Sequence, residues 1–325
     1  FIFCRFFKKA RLITDNKKYS LALIMPVKNC AKYLEEAILS YIDHGRDDII
    51  LVIIDDGSSD TSPEICKKLA EMLPTKILFK KNHGLGKVMG INYGFSLVDA
   101  NYYKFVDGDD VLLPNFWTFF LKCESQKISF VHPFNIVDSS LNLLGILPMA
   151  VQNISNNIKY IEQLILLPKV AWTFKDSDIT GMFPMPENLP FEDIWFSLFS
   201  YTKNLNIHNV DKPLYNYRQH GSQTYGNISD ISSERLNFRY SRIIDAIHII
   251  EKQNAFADYL APLECAKSLA NFMIRQESFK DIFFKCGILS ATKHLLLRDF
   301  KKCYQFIRFV VWRLRSLQSL IASKS

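Results

Sequence analysis

The chain has 325 residues, 48% of them hydrophobic and 22% charged, with a formal net charge of +7. That length and apolar content suit one large or two modest globular domains with buried cores. No uninterrupted apolar run approaches the ~18–20 residues that a membrane-spanning helix requires, the strongest being IILVII at 49–54 and FIRFVVW at 306–312.

The charge is unevenly spread: residues 1–19 carry +5, residues 279–325 carry +8, and the middle carries −6. The seven cysteines are scattered and contain no C-x-x-C pair, so the spacing indicates neither a disulfide framework nor a zinc site and fits a reducing cytoplasm. The opening FIFCRFFKKARL begins without Met and sets apolar residues ahead of its charges, the reverse of a secretory signal; a trimmed N-terminus is the expectation.

From residue 20 the pattern alternates. LALIMPV (21–27) reads as a buried strand, and AKYLEEAILSYI follows as a helix with Leu34, Ile38, Tyr41 and Ile42 on one face. IILVIID (49–55) is a second strand. In the helix after it, Thr61 and Glu64 have the spacing of a capping box and Pro63 falls in the first turn. KILFKK (76–81) is a third, edge-like strand, GKVMGINYGFSLVD a third helix, and YYKFVD (102–107) a fourth strand. Strands alternating with helices predict right-handed crossovers and a mostly parallel sheet covered on both faces.

Beyond residue 128 the pattern loosens. A hairpin is expected around Asp138-Ser139-Ser140, with short helices and Pro-punctuated loops over 158–205 and further helices past 232. The predicted organisation is a basic segment 1–19, a main domain 20–231 whose halves are 20–127 and 128–231, and a helical basic region 232–325. The last helix there, around RDFKKCYQFIRFVVWRLRSLQSLI, is amphipathic and strongly basic.

In doubly wound sheets ligands bind beyond the carboxyl ends of the strands. Four polar loops fall there: Pro26-Val27-Lys28-Asn29, Asp55-Asp56-Gly57-Ser58, Lys81-Asn82-His83-Gly84 and Asp107-Gly108-Asp109-Asp110. In the last, carboxylates at x and x+2 share one side of an extended backbone, and their mutual repulsion calls for a cation. Mg²⁺ or Mn²⁺ suits such a pair, because these hard ions accept one or two protein carboxylates and keep other positions for water and phosphate. The alternative is an Asx turn with Asp110 capping the following helix. Glycines at 84, 86 and 90 miss the G-x-G-x-x-G spacing and no P-loop is present, which excludes those two nucleotide-binding devices.

Taken in order, LIMPVKNCAKYLEEAILSYI, LVIIDDGSSDTS, NHGLGKVMGINYGF, YKFVDGDDVLLPNFW and LPFEDIWFSL resemble the inverting glycosyltransferases of family 2 with the GT-A fold, over about residues 20–225. The resemblance implies an α/β, Rossmann-like sheet flanked by helices, here followed by a helical C-terminal extension. It implies a nucleobase pocket at Pro26, Val27 and Lys28, with Asp56 on the base, which weakly favours uracil. It further implies Asp107 near the ribose or the metal, Asp109 as principal ligand of Mn²⁺ or Mg²⁺, and Lys87 near the phosphates. Asp193 would be the catalytic base, with Glu192 beside it and Asp110 in support. YNYRQHGSQTY resembles the segment that closes over the donor, with Arg218 and His220 near the diphosphate.

The expected function is transfer of a sugar from a nucleotide-diphosphate donor to a glycan or lipid-linked acceptor. The alternatives are a non-catalytic nucleotide-sugar scaffold and a nucleotidyltransferase, although PVKNCAKY lacks the glycine-rich basic loop of the latter. The basic C-terminal helix is expected to lie on an anionic membrane surface or to pack on the protein, giving a cytoplasmic protein at the inner face of the membrane. Nucleic acid fits less well with the acidic middle.

Overall fold

A computed structural model describes residues 18–42, 45–147, 158–162, 164–203, 205–221, 223 and 233–274. The basic segment before residue 18 and the basic C-terminal helix lie outside the described residues. The chain divides into two compact units, the first built from residues up to 157 and 166–230, the second from 158–165 and the residues after 230. The segment 158–165, placed by the sequence reading in the main domain's second half, thus clusters with the later helices.

The first unit opens with β1 (Lys18–Val27), α1 (Ala31–Ser40), β2 (Ile49–Asp55), α2 (Ser62–Met72), β3 (Ile77–Lys81), α3 (Lys87–Ser96) and β4 (Asp99–Phe105). It continues through β5 (Val111–Leu112), α4 (Asn115–Gln126), β6 (Ser129–Val131), β7 (Phe134–Val137) and β8 (Leu143–Leu147). The second unit takes α5 (Ile158–Glu162). The first then resumes with β9 (Trp172–Lys175), α6 (Glu192–Tyr201), β10 (Ile207–Asn209) and β11 (Tyr215–Arg218).

Seven strands form the main sheet in the order β10-β6-β9-β4-β1-β2-β3. β4, β1, β2 and β3 run parallel, in register Ile24↔Phe105 and Val27↔Asp55. Leu21 through Val27 are all buried, as a central strand covered on both faces requires. β9 enters antiparallel between β4 and β6, a strand hidden from sequence reading because WTFK is short and surrounded by loop residues. A second sheet, β5-β11-β7-β8, contains the expected hairpin. Its turn is closed by Asp138 Oδ1, which accepts the N–H groups of Ser140 at 2.8 Å and Asn142 at 2.9 Å.

Two local features fix the top of the sheet. The Thr61–Glu64 capping box does not form, since Thr61 makes no side-chain cap. Asp60 replaces it: its carboxylate accepts Ser62 N–H on α2 and Ala31 N–H on α1, both at 3.0 Å, so one anion caps two helix N-termini. On α3, a Cβ at Gly94 would meet Ile24 Cγ2 at 2.8 Å and Ile54 Cγ1 at 3.1 Å. Glycine therefore lets this helix seat directly on β1 and β2.

The second unit comprises α5, α7 (Ser233–Ile250), a 3₁₀ turn at Asn254–Tyr259 and α8 (Leu260–Met273). Ala246, Ile247 and Ile250 on α7 and Leu263, Ala266, Leu269 and Ala270 on α8 are buried, the three- and four-residue spacing of an apolar stripe.

Candidate active site

The loops leaving β1, β2 and β4 converge on a cleft of about 280 Å³. Pro26, Val27, Lys28, Asp56, Lys87, Asp107, Asp109 and His220 all line it, so eight of the positions singled out in the sequence meet in one place. Arg218, Glu192, Asp193 and Asp110 do not line the cleft. Gly57, at φ +76°, brings the β2 loop against the β3 loop, where a Cβ would stand 3.3 Å from Gly84 N.

The acidic loop is a turn rather than an extended strand end, so its two carboxylates diverge. Its main chain is held from below by two buried tyrosines. Tyr41 donates its hydroxyl to the Asp107 carbonyl at 2.7 Å and lies 3.0 Å from the Tyr215 hydroxyl, which accepts the Asp107 N–H at 3.2 Å. Gly108 leaves no room for a side chain, since a Cβ would meet Cys30 Sγ at 2.8 Å.

Asp107 turns inward onto two ammonium groups. Lys87 Nζ is 2.9 Å from its Oδ1 and Lys169 Nζ is 2.5 Å from its Oδ2. Burial alone would raise this carboxyl, but the two lysines prevail and hold it well below the usual range. Both oxygens are thereby occupied, which argues against the metal-ligand role expected for Asp107. Asp109 turns the other way, toward the cleft, with His220 Nε2 3.0 Å from its Oδ2.

Lys87 and Lys169 also reach Glu192 Oε1, at 2.9 Å and 3.4 Å. Burial opposes ionisation of Glu192, but Lys87 and then Lys169 lower its pKa. Asp193 follows on the first turn of α6, where the helix N-terminus favours an anion. Its Oδ1 accepts the main-chain N–H of Lys169 at 2.7 Å. Burial and the adjacent Glu192 carboxylate push Asp193 up to about 6, against the pull of the two lysines.

Asp56 is positioned by its own loops: Oδ1 accepts Gly86 N–H at 2.8 Å and Asn82 Nδ2 at 2.9 Å, and Oδ2 lies 3.8 Å from Lys28 Nζ. Asp110 is not a helix cap. It is fully buried and accepts the Arg218 N–H at 2.7 Å, tying β11 to the acidic loop; burial, then Asp109 and Asp107, raise its pKa well above the usual range.

Arg218 does not face the cleft. Its guanidinium donates to the carbonyls of Asp109 at 2.7 Å and Ser139 at 2.8 Å and to Glu36 at 2.5 Å, and it stacks 4.5 Å above the Tyr33 ring. With only 2% of the residue exposed, it is a strut for the loop, which corrects the phosphate role expected of it.

Residues 22–122 match the family described as glycosyl transferase family 2. That segment is similar to the family, and the rest of the chain lies outside the match. Over 96 residues it is 36% identical to the minor teichoic acid biosynthesis protein GgaB of Bacillus subtilis, covering 29% of this chain and 11% of that protein. Its fold is that of TarS from S. aureus, solved with UDP-GlcNAc, at a TM-score of 0.54 and 16% identity over 86% of this chain and 81% of the other. A mannosyltransferase from Pyrobaculum calidifontis, solved with GDP-Man and Mn²⁺, has a TM-score of 0.51 and 14% identity, covering 95% of this chain and 84% of that one. The architecture is therefore GT-A.

Sequence reading overlooked Lys169, which follows Pro168 in a stretch without periodicity and sits 62 positions from Asp107. It also overlooked Tyr217 and Gln223, which line the cleft, and the Tyr41–Tyr215 pair beneath it. Tyr217 stands two positions beyond the buried Tyr215 on β11, so period-two reading of YNYR, which puts both tyrosines on one face, was the signal available.

Proposed function

We propose that the chain transfers a sugar from a nucleotide-diphosphate donor to an acceptor hydroxyl with inversion. The observation that carries this reading is the convergence of Lys28, Asp56, Lys87 and Asp109 on one cleft, beside a carboxylate, Asp193, whose pKa of about 6 suits a general base. The nucleobase rests against Pro26 and Val27 with Asp56 and Lys28 at its polar edge. Lys87, half exposed at the cleft wall, faces the diphosphate.

In the transfer, Asp193 takes the proton of the acceptor hydroxyl while that oxygen forms a bond to the anomeric carbon. The bond from that carbon to the diphosphate oxygen breaks, and the nucleotide diphosphate leaves from the opposite face carrying the electron pair. Asp193 is tied to the cleft through Lys87, which lines it and acts on the Asp193 carboxyl, and on this reading the acceptor hydroxyl is bound beside it.

Asp109 and His220 supply a carboxylate and an imidazole facing the cleft, a donor set that fits Mn²⁺ or Mg²⁺ completed by phosphate and water. Among the described residues no group of three or more His, Cys, Asp or Glu is arranged to hold a metal. Such a cation would neutralise charge on the departing diphosphate.

The relatives' printed role in teichoic acid biosynthesis supports a surface glycan as product and a glycan or lipid-linked acceptor. Among the described residues no helix is long and apolar enough to cross a membrane. The basic residues of 279–325 would then hold the protein on the anionic inner face of the membrane; deletion of 297–325 lowers co-sedimentation with anionic vesicles on this reading, and unchanged sedimentation opposes it.

The deciding experiment is a panel of UDP- and GDP-sugars assayed for nucleotide release and thermal stabilisation with Mn²⁺. Asp193→Asn is expected to keep donor binding and lose turnover, and Asp109→Ala to lose Mn²⁺-dependent binding while remaining folded. A panel with no donor bound, or an Asp193→Asn protein of full activity, refutes the proposal.

A further inference from the structure

The two lysines at the base of the cleft are not equivalent. Lys87 is 47% exposed and lines the cleft, whereas Lys169 is 1% exposed. Lys169 comes from the segment leading into β9, far from the loops that carry the family's motifs. It makes three contacts with the carboxylate cluster: Nζ to Asp107 at 2.5 Å, Nζ to Glu192 at 3.4 Å, and main-chain N–H to Asp193 at 2.7 Å. The next carbonyl, Val170, accepts the buried Lys104 ammonium at 2.8 Å, and that group lies 3.0 Å from His132 Nε2. The segment is therefore pinned from beneath as well as from the cleft.

Glu192 is buried and Asp107 and Asp193 are half-buried, so the cluster needs countercharge, because uncompensated carboxylates in such surroundings are disfavoured. Two ammonium groups serve it in the resting chain. A diphosphate entering the cleft competes for Lys87, the one within reach of solvent, and cannot reach Lys169. We propose that Lys169 is a positioning residue for transfer, the fixed countercharge that holds Glu192 and Asp193 in place, and that Lys87 is the exchangeable one released to the donor's diphosphate. This assignment rests on the glycosyl-transfer reading of the cleft.

The charged groups acting on Asp193 are Glu192 on α6, Lys169 before β9 and Lys87 on α3, with Tyr217 of β11 within electrostatic range. Removing the Lys169 charge leaves burial and Glu192 less opposed, so Asp193 holds its proton more tightly. Removing the Lys87 charge takes away a phosphate partner.

The test compares wild type with Lys169→Met, Lys169→Arg and Lys87→Met. The Asp193 carboxyl is followed by carbon-13 NMR, with Asp193→Asn identifying its resonance, and UDP is titrated calorimetrically in the presence of Mn²⁺. In Lys169→Met the Asp193 midpoint is expected to rise by about one pH unit or more, with UDP affinity within about threefold of wild type; Lys169→Arg keeps the wild-type midpoint. Lys87→Met is expected to weaken UDP about tenfold or more, the loss of one charge-assisted phosphate contact. An unmoved Asp193 midpoint in Lys169→Met, or a loss of UDP affinity matching that of Lys87→Met, overturns the assignment. If Lys169→Met does not fold, Lys169→Gln carries the same comparison. Wild type that binds no UDP and turns over no nucleotide sugar defeats the transfer reading instead, and the NMR comparison still decides whether Lys169 governs Asp193.

Discussion

Replacing Tyr41 with Phe removes one oxygen from beneath the acidic loop and leaves the ring in place. The residue is 0% exposed, so water cannot substitute for what is lost. Tyr41 gives its proton to the Asp107 carbonyl at 2.7 Å, and Tyr215, already accepting from Asp107 N–H, directs its own proton at the Tyr41 oxygen 3.0 Å away. The substitution thus orphans a carbonyl and a hydroxyl proton together. At ~1–3 kcal/mol for each buried polar group left unpaired, the expected loss is about 2–6 kcal/mol. Urea unfolding followed by tryptophan fluorescence measures it, since Trp117, Trp172 and Trp195 all belong to the first unit. UDP affinity should fall with stability, because the same carbonyl anchors the turn that aims Asp109 at the cleft. A loss under about 0.5 kcal/mol, the size of an ordinary surface substitution, would show that the tyrosine pair does not hold the loop.

Turnover should rise with pH through about 6, because Asp193 must be ionised to accept a proton and burial with Glu192 raises it to that value; a pH–rate profile flat from 5 to 8 would contradict the assignment. The same shift makes this group's contribution to stability decline as pH climbs through about 6, since the folded chain binds the proton more tightly than the unfolded chain. Arg218→Met is expected to lower stability by about 1–2 kcal/mol, since the carbonyls of Asp109 and Ser139 lose a donor held in part-buried bonds. Its UDP affinity should change only severalfold, and a loss of a hundredfold at unchanged stability would restore the phosphate role.

The alternation of LALIMPV, IILVIID, KILFKK and YYKFVD with helical periodicity was enough to determine four parallel strands and the end of the sheet at which the cleft forms. Apolar runs of that length can be satisfied only by a sheet covered on both faces, and the polar loops at their carboxyl ends have nowhere else to go. Chain order alone therefore placed Pro26, Lys28, Asp56, Asp107 and Asp109 around one cleft. What it could not supply was direction. Asp107 and Asp109 are two residues apart, yet the turn at Gly108 sends one to a pair of lysines and the other to His220. Arg218 bears the group best suited to phosphate, but β11 aims it at Glu36 and two carbonyls. Lys169 has no local signal at all, because its partners arrive from positions 107 and 192. Local pattern sets which backbone forms, since hydrophobic periodicity and turn chemistry act between near neighbours. Which charges meet is decided only when β9 slots between β4 and β6 and the segment ahead of it brings the Lys169 ammonium to Asp107 and Glu192.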